Sequence, residues 1–115
     1  MRIEVRGRNV EIDEELREHV LKRFGRVGRQ VSDLATLDVT IWEERNPAIA
    51  ESQVAEATLR LKGVTLHAKE SSPAMAHTIH HLAEDIRRQV KKNREKHRNR
   101  RQTRRLVNRM RGRAA

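Results

Sequence analysis

Ala55-Glu56-Ala57-Thr58-Leu59-Arg60-Leu61-Lys62-Gly63-Val64-Thr65-Leu66-His67-Ala68 is the stretch that decides the fold. Ala55, Ala57, Leu59 and Leu61 alternate with polar residues, and Val64, Leu66 and Ala68 resume the alternation. A period of two places one apolar and one polar face on a strand. Lys62-Gly63 between the two runs fits a tight hairpin, with glycine supplying a positive φ. Working back, Leu37, Val39 and Ile41 alternate with Asp38, Thr40 and Trp42, and Ile3 and Val5 do so before Gly7. Four half-buried strands are predicted. Asn46-Pro47 between two of them favours a surface turn.

Two helices complete the pattern. Asp13 is placed to cap a helix with Glu14 and Glu15 in its first turn and Arg26 near its end, where the helix dipole favours each charge. Leu16, Val20, Phe24 and Val27 form its apolar stripe, and Gly28 is its expected stop. Ser72-Pro73 predicts the start of a second, longer helix, since serine caps and proline suits the first turn. Met75, Ile79, Leu82, Ala83, Ile86 and Val90 fall on one stripe of it, while Arg87, Arg88, Lys91, Arg94 and Arg98 are expected on the opposite arc. The predicted class is α+β, in the order β-α-β-β-β-α. Its four-stranded sheet carries both helices on one face, as in double-stranded-RNA-binding domains. Residues 1–96 form the expected domain. Residues 97–115, without an apolar stripe, are read as a basic tail that is mobile when unbound.

Charge is segregated along the chain. Residues 1–72 hold twelve Lys/Arg and thirteen Asp/Glu, whereas residues 73–115 hold fourteen and three, for a total of +10. A near-neutral body with one strongly cationic end suits a polyanionic partner met by one surface. Trp42 and Phe24 are the only aromatics. Phe24 lies on the buried stripe and Trp42 is read as packing on the sheet, so recognition of shape and phosphate is favoured over base stacking. The chain has no cysteine and no apolar run long enough to cross a bilayer, so a cytoplasmic location without membrane contact is expected.

Gly7-Arg8-Asn9-Val10-Glu11-Ile12-Asp13-Glu14-Glu15-Leu16-Arg17-Glu18 resembles the opening of bacterial ribosome hibernation-promoting factors and the related inhibitor protein Y. Leu66-His67-Ala68, then Met75, Ile79, Leu82 and Arg88-Gln89-Val90-Lys91-Lys92, fall at spacings similar to that family. The resemblance covers roughly residues 2–95. It implies a stress or stationary-phase factor that enters the small ribosomal subunit, lies in the messenger RNA and transfer RNA channel, and inhibits translation. By matched position it assigns ribosomal RNA contacts to Arg23 and Arg26 on the first helix and to Arg88 and Lys92 on the second. Arg87, Lys91, Arg94 and Arg98 join them by their place on the helical wheel.

The departures are specific. Ala74-Met75-Ala76 stands where the family usually has Asp-Met-Tyr, and Asp85 where lysine is common. The second domain through which longer members pair ribosomes is also expected to be missing.

Other chemistries find little support. His77, His80 and His81 cluster on the second helix, but no further ligand follows at a motif spacing, so they are read as solvent-facing and no metal is expected. His67 is read as a sheet-face residue. Glu43 and Glu44 are neighbours on a strand end, where side chains point to opposite faces. No nucleophile with a base and no glycine-rich phosphate loop is present, so neither an enzyme, a small-molecule substrate nor a cofactor is expected. Two competing readings are a general nucleic-acid or nucleoid-binding protein using the basic C-terminal helix and tail, and a protein-interaction module.

Overall fold

The computed structural model describes residues 1–46 and 48–114, with side chains through residue 108. Its elements are β1 (Arg2–Arg8), α1 (Glu14–Gly28), β2 (Thr36–Glu43), β3 (Gln53–Leu61), β4 (Val64–Ser72) and α2 (Met75–Ala114). The sheet order is β1-β2-β3-β4. β1 runs parallel to β2, which the helical crossover through α1 permits, and the other neighbours are antiparallel. The predicted element order and the four-stranded sheet are both present.

The alternating residues meet where the pattern requires. Leu37, Val39, Ile41, Ala55, Ala57, Leu59 and Ala68 are buried on the helix-covered face. Val20, Phe24 and Val27 of α1 and Ile79, Leu82, Ala83, Ile86 and Val90 of α2 close over them. Small Ala57 and Ala68 are register partners midway along β3 and the edge strand β4, which lets α2 approach. The Lys62-Gly63 turn joins the register pair Leu61 and Val64, with Gly63 at φ 81°.

Asp13 caps α1 as expected, its carboxylate accepting from the Leu16 amide at 2.7 Å. Before it, Gly7 and Asn9 shape the corner out of β1. A Cβ on Gly7 would run into the Val10 carbonyl oxygen. Asn9 takes a positive φ of 51° and acts as a side-chain rung of the sheet. Its amide donates to the Glu43 carbonyl at 3.2 Å and its carbonyl accepts from the Glu43 amide at 3.3 Å.

One boundary is revised. The second helix begins at Met75 rather than at Pro73, because β4 continues through Ser72 and the Ala74 carbonyl takes the first helical amide bonds. Ser72 is drawn into the core instead: it accepts from the Ala74 amide, and its Oγ lies 2.6 Å from that of the fully buried Thr78, which donates to the Gln53 carbonyl at 2.8 Å. Gly28 is the last residue of α1, as expected, and Arg29 caps it in the right-handed helical region. Residues 97–114 continue α2 as helix, and the last buried residue of that helix among those whose side chains are described is Val90. Pro47 lies outside the described residues, while Asn46 accepts from the Ala48 and Ile49 amides as a turn residue would.

Candidate nucleic-acid interface

Both helices lie on one side of the sheet, and their outward surface carries the candidate residues. On α1, Arg23 and Arg26 are exposed. A step of about 100° per residue puts them on the same flank as His19, whose Nε2 is 3.5 Å from the Ala76 carbonyl of α2. They therefore border the seam between the helices. Arg87 stands on the matching flank of α2, half-exposed, with Glu84 one turn away at 3.8 Å.

Arg88 and Lys92 are fully outward, on the crest of α2 and towards its β4 side. Beside Arg88 lies an acidic pair. Burial, then the hydrogen bond and charge of Asp85, push the Glu70 carboxyl above its usual range, and His81 and Arg88 offset this in part. Asp85 accepts from Gln89 Nε2 at 3.1 Å, and the same amide group donates to the His67 carbonyl at 2.9 Å. Asp85, the departure noted in the sequence, thus engages β4 rather than projecting into the cationic row.

Lys91, Arg94 and Arg98 were expected on one arc with Arg88. They instead line an open cleft beneath the part of α2 that overhangs the body. The single row separates into a crest, a seam and a cleft because α2 is bordered by α1 on one flank and β4 on the other. Arg101 and Arg105 continue the cleft wall, and Arg60 and Lys62 face it from the β3–β4 hairpin. The spacing 91, 94, 98, 101, 105 was the available signal for the first two. Nothing in sequence brings the hairpin to that place.

The opposite face of the sheet carries mixed charge. Trp42 lies across it with the Arg8 guanidinium 5.1 Å and the Lys69 ammonium 5.4 Å from its ring centre, and Nε1 donates to Glu44 at 3.0 Å. Its ring is thus engaged by cations on the open face. His67 lies on this face too, 3.1 Å from Thr58 Oγ1 and 3.7 Å from Glu56. His77 and His81 stack edge to face at 4.7 Å. Among the described residues, no group of three or more His, Cys, Asp or Glu side chains is placed to hold a metal, and no helix is long and apolar enough to cross a membrane.

The ribosome hibernation promoting factor of Acinetobacter guillouiae is 26% identical over 94 residues, covering 77% of this chain and 83% of that protein. A ribosomal subunit interface protein from Coxiella burnetii superposes with a TM-score of 0.70 at 22% identity, over 83% of this chain and 99% of that one. The N-terminal domain of Thermus thermophilus Protein Y gives 0.70 at 24% identity, over 80% and 98%. These two share the fold. Residues 3–98 match the family described as Sigma 54 modulation protein / S30EA ribosomal protein, and with most of its length so matched the chain belongs to that family.

Proposed function

We propose that this protein is a ribosome hibernation factor that binds ribosomal RNA of the small subunit in the messenger RNA and transfer RNA channel and inhibits translation under stress. The observation that carries the reading is the outward surface of α1 and α2, where Arg23, Arg26, Arg87, Arg88 and Lys92 stand exposed or half-exposed over a core that fixes their spacing. Phosphate contacts position such a protein, and a rigid helix face sets register where a loose cation run cannot. The hibernation-factor name of the Acinetobacter relative and the family match support association with the ribosome. The function is that of a blocker located in the cytoplasm, with no catalytic step and no cofactor.

Arg88→Glu with Lys92→Glu reverses two crest charges and spares the buried stripe. The double variant should lose inhibition of translation and binding to purified small subunits, while truncation after Lys96 should keep both with weaker binding at high salt. Retention of both activities by the double variant together with their loss on truncation contradicts the helix-face reading. That result would favour the general nucleic-acid binder, whose supporting observation is the cationic end of α2 beyond the family match.

A further inference from the structure

The cleft under the α2 overhang has two walls drawn from distant parts of the chain. One is a helical stripe, Lys91, Arg94, Arg98, Arg101 and Arg105, and the other is Arg60 and Lys62 at the β3–β4 turn. The stripe residues recur three and four apart and so occupy one arc of the helix, about 21 Å long at 1.5 Å per residue. Arg60 is tied to Asp38 by an ion pair, and Glu95 is the one acid lining the cleft among the described residues. The floor is apolar and thin, with Val31, Ala35 and Leu61 beside Leu34, which is 90% exposed. The open volume is about 1280 Å³.

We propose that this cleft binds the phosphodiester backbone of a single RNA strand, which passes between the α2 stripe and the β3–β4 turn. It is a second RNA site, separate from the outward crest of α2, and it rests on the reading of the protein as a binder of ribosomal RNA. A line of cations roughly 5 Å apart fits a polymer charged at every unit better than a peptide carrying a few carboxylates. Among the described residues His97 is the one aromatic ring lining the cleft, and no Phe, Tyr or Trp does, so there is no stacking platform for successive bases and the site takes backbone with little regard to sequence. Arg101 and Arg105 lie beyond residues 3–98, so this wall extends past the segment shared with the family.

Lysine acylation of the full-length protein, with and without a short oligouridine at low salt, tests the site directly. Lys62 and Lys91 should be protected by the oligonucleotide. Lys62→Glu with Arg101→Glu, folded by circular dichroism, should bind oligouridine at least about tenfold more weakly. The slope of log affinity against log salt should be shallower by about 1.4, since each single-strand phosphate that the variant no longer neutralises removes about 0.7. Unchanged acylation at both lysines together with wild-type binding by the variant overturns the proposal. So does protection of the same lysines by oligoglutamate and not by oligouridine. Co-sedimentation of the wild-type chain with small subunits reads the ribosomal assignment separately. Its failure alongside an intact oligouridine footprint removes that assignment and leaves the cleft as an RNA site.

Discussion

Residues 75–90 and residues 91–114 are one continuous helix, yet different interactions govern its two parts. The first presents Ile79, Leu82, Ala83, Ile86 and Val90 to the sheet, all nearly or fully inaccessible. The second has no buried residue among those whose side chains are described, and its Leu106 and Val107 are exposed. Burying a large aliphatic side chain contributes about 1.5–3 kcal/mol, whereas an unpacked helix has only propensity and local pairs. Beyond Glu95 the sequence contains no acid at all, so neighbouring arginines repel along the overhang with no internal relief. The packed half therefore fixes geometry, and the overhang supplies charge that a polyanion would stabilise.

The sharpest way to break this contrast is a matched pair of truncations. Leu82→Ala should destabilise the protein by about 2–5 kcal/mol in urea unfolding, while Leu106→Ala should stay within about 0.5 kcal/mol of the parent. Equal losses at the two positions would mean that the overhang packs against something. A smaller effect probes the junction of β4 with α2. Thr78→Val removes the hydroxyl that donates to the Gln53 carbonyl and leaves Ser72 without its buried partner. That change should cost about 1–3 kcal/mol by the same measurement.

The smallest expected effect is a pH dependence on the β4 flank. Glu70 is raised by burial and by Asp85, so the folded chain holds its proton more tightly than the unfolded chain does. Its contribution to stability is fully present below the unfolded carboxyl range and is lost as pH rises through the folded value. Glu70→Gln removes that loss. Relative to the parent, the variant should gain in urea midpoint as pH climbs from about 4 towards neutrality, and a constant difference over that range would show that the acidic pair is not strained.

Much of the fold was legible because alternation and helical stripes report directly on which side chains are buried. Leu37, Val39 and Ile41, the Lys62-Gly63 turn and the α2 stripe all occupy their expected roles. Helix starts were less legible: Ser72-Pro73 carries a capping signal, but strand pairing of Ser72 with Gln53 and the buried Thr78 contact outcompete it. The candidate site was partly legible. A helical wheel separates buried from exposed residues, but it cannot say which neighbour borders each flank, so Arg88 and Arg94 looked alike. Arg60 and Lys62 were missed because their place opposite α2 depends on the hairpin ending under the overhang. Asn9 stands within the stretch that resembles the family, and its physical reason, a side-chain rung to Glu43, is visible only in three dimensions.

The central claim is that the rigid surface of α1 and α2 seats the protein in the small-subunit channel. A density map of the full-length protein bound to purified ribosomes tests it most directly. The account predicts density in the messenger RNA and transfer RNA channel, with Arg23, Arg26, Arg88 and Lys92 against ribosomal RNA phosphates and the sheet turned away. Density outside that channel, or contact made by residues beyond 96 alone with the helix crest facing solvent, would contradict it.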